Sequence, residues 1–268
     1  MKPFQITSRD NSLLRRARAV RDGKVPESIF VEGLRLCEEA LASGLSIEAV
    51  IYSDEIARKD RAASLLRKLA GAASKSAEVS ERLLASISFT KTPQGIIVVA
   101  ERPATDELTF AERQANSPLL TLLHEVNNPM NAGAILRAAE AAGVSGVITT
   151  LNTADPFSAK ALRGAMGSAF RLSIWMGPSY TDAIAWCRTN NIRTICAAVG
   201  AKKLYTEIDW GRPSALIVGR ESSGLTPEEI SMADDVVRVP MQGNVESLNV
   251  AVAAGIILYE AARQRGQK

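Results

Sequence analysis

An α/β protein of two domains is predicted, the larger built on a parallel sheet. Three observations carry that expectation. The chain has 268 residues, more than one domain usually holds, and 46% of them are hydrophobic, enough to bury a core. Short apolar runs of strand length alternate with helix-length segments, most regularly after residue 118; strands covered on both faces lose the polar alternation of a half-exposed sheet. Between the two halves, ERPATDELTFAERQANSP (101–118) is polar and carries two prolines, as a linker does.

In the first half, residues 1–100, Ser12 to Arg21 reads as a basic helix, SIFVEG (28–33) as a strand and Leu34 to Ala42 as a helix. IEAVIYS (47–53) is a strand, Ala57 to Ala73 a helix, and GIIVVA (95–100) a buried strand. Residues 101–117 read as the linker, with room for one helical turn. The second domain, 118–268, opens with the strand LLTLLHEV (119–126), followed by an Ala-rich helix from Ala132 to Ala142 that Gly143 ends. VSGVITT (144–150), a helix from Ser158 to Met166, RLSIWM (171–176) and a helix from Thr181 to Arg188 follow. IRTICAAV (192–199), SALIVG (214–219) and DVVRVP (235–240) are further strands, and a last helix runs from Leu248 to Arg263 with Ser247 placed as its N-cap. Ligands of such sheets bind at the carboxyl ends of the strands, so the loops there are the places to look.

Charge is unevenly distributed. Residues 1–100 carry 16 basic against 12 acidic side chains, and residues 101–268 carry 16 against 17. Seven basic residues fall within the first 24, so an electrostatic footprint for nucleic acid is expected at the front, at Arg9, Arg15, Arg16 and Arg18. Cys37, Cys187 and Cys196 lack any metal-site spacing and read as small buried hydrophobes of a reducing compartment. No secretory signal or membrane-length apolar run is seen, and a cytoplasmic protein is expected. A dinucleotide-binding glycine fingerprint, a P-loop and zinc-protease or serine-hydrolase motifs are missing; the one histidine, His124, is a poor basis for nucleophilic catalysis, and no metal is expected.

Three loops that follow strands stand out. In NNPMNAGAILRAAEAAG (127–143), Pro129 stiffens the turn, Asn131 is placed to cap the helix, and Gly133 and Arg137 stand one helical turn apart. Taken alone, that is equally a capped helix with a solvated arginine. In IVGRESSGLTPEE (217–229), two glycines flank Glu221 before Thr226 opens a helix. In VPMQGNVESLNVAVAAG (239–255), a glycine loop runs into a helix of small residues that permit close approach of the sheet or of a second subunit.

Together, in this order, the loops resemble the SpoU class of the SPOUT RNA methyltransferases, which transfer a methyl group from S-adenosylmethionine to a ribose 2′-hydroxyl. Its motif N-P-x-N-x-G-x-x-x-R is met by Asn128, Pro129, Asn131, Gly133 and Arg137; G-x-E-x-x-G-L by Gly219, Glu221, Gly224 and Leu225; and P-x-x-G-x-x-x-S-L-N by Pro240, Gly243, Ser247, Leu248 and Asn249. Residues 1–100 look like the family's L30e-like substrate-binding domain, with Thr92 to Gly95 resembling its end. Two positions depart from the common pattern: Ala165 stands where many members have serine, and Arg220 where asparagine is frequent.

The resemblance implies a deep trefoil knot in the second domain and S-adenosylmethionine held by Ala198, Val199, Gly200, Val218, Gly219, Gly224, Val239, Met241, Leu248 and Asn249. It implies a catalytic set of Arg137, Asn131, Glu221, Ser247 and Asn249, with Arg137 activating the 2′-oxygen. Arg163 and Arg220 join Arg9, Arg15, Arg16 and Arg18 as RNA-contact candidates, with ribosomal RNA favoured over tRNA, and the protein is expected to be a homodimer through its second domain. A non-catalytic RNA-binding or ribosome-assembly factor that retains the fold is the alternative, separated by whether S-adenosylmethionine binds.

Overall fold

Residues 4–266 are described by the computed structural model, and the backbone separates into two units that alternate along the chain: Met1–Pro103 with Phe157–Phe170, and Ala104–Pro156 with Arg171–Lys268. The first unit is a mixed sheet with helices. Its elements are β1 (Phe4–Ile6), α1 (Ser12–Arg21), β2 (Ser28–Glu32), α2 (Leu34–Ala42), β3 (Ile47–Ser53), α3 (Asp60–Ala72), β4 (Lys75–Val79), α4 (Glu81–Ile87) and β5 (Ile96–Glu101). The strand order is β1-β4-β3-β5-β2, with β1, β4 and β3 parallel and β5 antiparallel to both of its neighbours. Helix α1 forms where Asn11 caps it by accepting from the Leu13 amide, and its buried stripe Leu14, Ala17 and Val20 joins Phe30, Ile51, Leu84 and Ile97 in one core.

The remaining elements are α5 (Glu107–Glu112), β6 (Leu119–Leu123), α6 (Pro129–Ala141), β7 (Gly146–Thr149), α7 (Ala159–Ala165), α8 (Ser168–Arg171), β8 (Ser173–Met176), α9 (Tyr180–Thr189), β9 (Arg193–Ala197), β10 (Lys203–Leu204), β11 (Ser214–Val218), α10 (Pro227–Ser231), β12 (Asp235–Arg238) and α11 (Val250–Gln264). Seven strands make one all-parallel sheet in the order β10-β12-β9-β11-β6-β7-β8. From β6 the chain winds outward through β7 and β8, then crosses to the other side, so the order reverses between β6 and β11. Such a switch point is where an open α/β sheet leaves a crevice.

Several details differ from the sequence reading. The expected linker contains α5, and its Phe110 is buried against Trp175 and Trp186, with ring centroids 6.0 and 5.4 Å away, so residues 104–117 are part of the second unit's core. Conversely, α7 belongs to the first unit, whose core Ala159 touches, and the Arg102 guanidinium lies 5.0 Å over the Phe157 ring. Helix α6 begins at Pro129 with Asn128, not Asn131, accepting from the Met130 amide; α11 is capped by Asn249, not Ser247. Gly133 is buried while Arg137 is exposed, so the two do not share a solvated face. The small residues of α11 face α6: a Cβ on Gly255 would stand 3.9 Å from that of Ala138. All three cysteines are free and buried, and burial pushes the thiols of Cys187 and Cys196 up to about 12 and about 11. Among the described residues, no helix is long and apolar enough to cross a membrane, and no group of His, Cys, Asp and Glu could hold a metal ion.

Candidate active site

Because β12, β9, β11 and β6 are adjacent and parallel, their carboxyl ends stand side by side, and the loops that leave them are neighbours however far apart they lie in sequence. The loops leaving β9, β11 and β12 line a cleft of about 420 Å³, with the loop after β6 beside them. Ala198, Val199 and Gly200 come from the end of β9; Val218, Gly219, Arg220, Glu221 and Gly224 from β11; Val239, Met241, Ser247 and Leu248 from β12 and the segment before α11. Leu225, Ile230, Val237 and Ile257 complete apolar walls, and Arg220, Glu221, Ser222, Ser223, Arg238 and Ser247 are the polar residues of the lining, the balance that small-molecule sites require. Of the ten expected cofactor contacts, nine line the cleft; Asn249 instead stands at its edge as the helix cap.

Glycine is required at one of these positions for space. A Cβ on Gly219 would lie 2.8 Å from the carbonyl carbon of Gly224 and 2.9 Å from its oxygen, closer than real Cβ atoms come to backbone. The loop therefore doubles back on itself, closed by the Gly224 amide donating to the Arg220 carbonyl at 3.0 Å, with Gly224 at φ +64°.

The three motif loops are hydrogen-bonded to one another. The Glu221 carboxylate accepts from the Asn127 amide (3.1 Å), the Asn128 amide (3.0 Å) and Asn131 Nδ2 (3.1 Å). Asn131 Oδ1 in turn accepts from Asn249 Nδ2 at 3.1 Å, while Asn249 Oδ1 caps α11. One carboxylate and two amides thus join segments up to 118 residues apart. Burial pushes the Glu221 carboxyl up, but the donors from Asn128, Asn131 and Asn127 outweigh it and hold the group below the usual carboxylate range, ionised as a three-donor acceptor must be.

Arg137 lies on α6 six residues beyond Asn131, about 9 Å along the helix axis. It is exposed and makes no hydrogen bond or ion pair among the described residues, and it is not part of the cleft lining; of the two roles open to Glu221, holding this arginine or holding the loop, its hydrogen bonds go to the Asn127–Asn131 turn. Ser247 lines the cleft and is exposed.

The RNA-contact candidates divide. Arg9, Arg15 and Arg163 are exposed and unpaired among the described residues. Arg16 is committed to Glu48 at 2.7 Å and to Ser28, and Arg18 donates to the Arg9 carbonyl. Arg220 is neither exposed nor free: its guanidinium is held by Glu229 and Glu125, which pull its pKa further up. His124, Glu125 and Glu229 around it were missed. No local spacing marks them, because His124 and Glu229 meet across 105 residues.

Comparison with known proteins agrees with this geometry. The model of the SpoU rRNA Methylase family matches residues 118–259, and that of the MRM3-like substrate binding domain matches residues 15–98. The 23S rRNA (guanosine(2553)-2′-O)-methyltransferase of Bacillus subtilis is 32% identical, covering 87% of this chain and 87% of its own. The 23S rRNA (uridine(2479)-2′-O)-methyltransferase of Streptomyces viridochromogenes is 30% identical over 88% of this chain and 83% of its own. An AdoMet-bound rRNA methyltransferase from Sinorhizobium meliloti superposes with a TM-score of 0.83 at 29% identity, covering 97% of each chain. With its matched loops meeting around one cleft, the chain belongs to the SpoU rRNA methylase family.

Proposed function

We propose that this protein methylates a ribose 2′-hydroxyl of ribosomal RNA, of the 23S type, using S-adenosylmethionine, and that the 420 Å³ cleft holds the donor. The observation that carries the reading is the joint of Glu221, Asn131 and Asn249, which fixes all three motif loops against one another around that cleft. The cleft suits the donor: its volume is that of a small-molecule site, its walls are apolar, and its glycines bring main chain within reach of a purine. When bound, the donor supplies a methyl group on a positively charged sulfur, a leaving group that needs no further activation.

The chain's own residues then have to place the 2′-oxygen and stabilise it as its proton leaves. A guanidinium with a pKa of about 12 or above is no general base. Arg137, unpaired and exposed, is available to stabilise the developing alkoxide, while Asn131 and Asn249 set the start of α6 and α11 and Ser247 faces the cleft. Arg9, Arg15 and Arg163 offer free guanidiniums to phosphates. A second copy of the chain completes this reading: Val252 and Tyr259 on α11 and Met130 on the α6 that packs against it are exposed apolar side chains, suited to a homodimer in which Arg137 serves the joint RNA site. The family's trefoil knot and a cytoplasmic location with the ribosomes belong to the same proposal.

The test is Arg137→Ala. Methyl transfer to ribosomal RNA falls by roughly 100-fold or more, while calorimetry with S-adenosylmethionine gives the wild-type affinity. Full activity in the variant removes Arg137 from its role, and absence of binding to the wild-type protein returns the non-catalytic factor.

A further inference from the structure

The loop between β11 and α10 carries an arginine that the proposed chemistry does not use. Arg220 belongs to the cleft wall, and its side chain is only 23% exposed. Its Nε donates to Glu125 Oε2 at 2.6 Å. Nη1 donates to Glu229 Oε2 at 2.9 Å and reaches the Gly224 carbonyl at 3.4 Å. Nη2 donates to Glu229 Oε1 at 2.9 Å and lies 3.2 Å from His124 Nε2. These five contacts equal in number the N–H groups of a guanidinium.

The partners are themselves fixed. Glu229 also accepts the Thr226 amide at 2.8 Å and stands 2.9 Å from His124 Nε2, and His124 Nδ1 is 2.9 Å from Thr150 Oγ1. Glu125 is tied to Asn152 at 3.4 Å, and its amide donates to Thr153 Oγ1 at 3.0 Å. Glu125 and Asn152 both hold the left-handed backbone, at φ 52° and 64°, although neither is glycine. Asparagine adopts this conformation readily, but in glutamate it costs energy, which the hydrogen bonds around Glu125 offset.

The network joins the ends of β6 and β7 to the start of α10, and Arg220 is where it meets the cleft. The same residue's carbonyl closes the turn with Gly224, the turn that leaves no room for a Cβ on Gly219. We propose that Arg220 is a positioning residue for the methyl donor: clamped between Glu125 and Glu229, it holds the main chain of residues 219–225 in the shape that the donor binds. The proposal rests on the methyltransferase reading given above. It replaces a direct contact with RNA, since Nε and one N–H of each Nη are already given to the two carboxylates.

The test compares wild type with Arg220→Lys, Arg220→Ala and Glu125→Gln, reading S-adenosylmethionine affinity by calorimetry, RNA affinity by filter binding, melting temperature, and kcat at saturating donor. Lysine restores the charge but not the planar fork. The expected result for Arg220→Lys is a melting temperature close to wild type, a donor Kd raised roughly tenfold, an unchanged RNA affinity and a kcat within about twofold once the donor saturates. Glu125→Gln gives a smaller shift in the same direction, and Arg220→Ala a larger one. Where the alanine variant fails to fold, the lysine variant decides. An unchanged donor Kd in Arg220→Lys overturns the proposal, as does a loss of RNA affinity alone or a donor Kd that rises only in step with lost stability. Failure of the wild-type protein to bind the donor removes the methyltransferase reading first, and is told apart because it needs no variant.

Discussion

Glu221→Gln perturbs the joint with the least change of shape. The carboxylate receives three donors, one on Oε2 from Asn127 and two on Oε1 from Asn128 and Asn131. A glutamine has one acceptor oxygen, so its cheaper orientation places Nε2 against the Asn127 amide and keeps the other two bonds in neutral form. Hydrogen bonds to charged groups contribute about 1.5–3 kcal/mol and neutral ones about 0.5–1.5 kcal/mol. One bond lost and two weakened would cost about 5 kcal/mol in a buried site. Glu221 is exposed, water reaches the freed amide, and the expected cost is about 1–2 kcal/mol. Thermal unfolding followed by circular dichroism then moves down by roughly 2–8 °C. Calorimetry shows weaker donor binding, because the 127–131 turn is no longer held against the cleft loop. A variant with unchanged melting temperature and donor affinity would refute the idea that this carboxylate fastens the site.

Gly219→Ala meets backbone at 2.8 Å, which no side-chain rotation relieves; donor binding in calorimetry should drop at least tenfold, about 1.4 kcal/mol, while the far-UV spectrum stays native. Hydrogen bonding from Arg220 depresses the Glu229 carboxyl to about 2 from 4.5, so its contribution is present above pH 4.5 and is lost as pH falls towards 2. At about 1.4 kcal/mol per unit, this amounts to about 3.5 kcal/mol at most; urea midpoints measured from pH 6 to pH 2.5 should fall, and the fall should be shallower in Glu229→Gln. Arg15→Glu should weaken RNA binding and lower its salt slope by about one, with stability changed by less than about 0.5 kcal/mol, as filter binding and melting will show. Arg16→Ala should instead reduce stability, through its lost Glu48 and Ser28 contacts.

What could be read from the residues depended on the range of the physics involved. Buried strands and amphipathic helices announce themselves locally, so β2, β3, β6, β9 and β11 fall where the apolar runs place them. β4 was invisible for the opposite reason: in Lys75–Val79 only Ala77 and Val79 turn inward, too few to make a run, and β1 has three residues. Helix α5 hid in a polar stretch because one side chain, Phe110, anchors it. The helix caps were displaced by competing candidates. Asn128 precedes Pro129, whose fixed φ suits a first helical position, and this frees Asn131 for the joint; Asn249 takes the cap two residues beyond Ser247. Three loops were legible as motifs, two of which line the cleft, but that they meet follows only from β12, β9, β11 and β6 being neighbours. Domain limits read from composition could not place α7, because its membership of the first unit is decided by packing across the fold.

Two arginines in these motifs show what the residues alone leave open and how an inventory of partners closes it. From the sequence, Arg137 and Arg220 were both placed at a site and both credited with contact to RNA or its ribose. The physical test is what a guanidinium gains from a newcomer. Arg220 already meets two carboxylates, a carbonyl and an imidazole, and withdrawing it to receive a phosphate would take the one cation shared by Glu125 and Glu229 from both, a loss that no single exposed ion pair recovers. Arg137 has no partner to lose, and its long side chain is free in solvent, so an RNA oxygen brought to α6 finds all its donors available. An unpaired cation costs little in the free protein and is most useful where charge develops during reaction; a fully paired one is useful only where geometry must not move. The first description fits a group that acts on substrate and the second a group that shapes the donor's cleft. Donor affinity should therefore respond to Arg220 and be indifferent to Arg137, whereas the rate at saturating donor should respond in the reverse order.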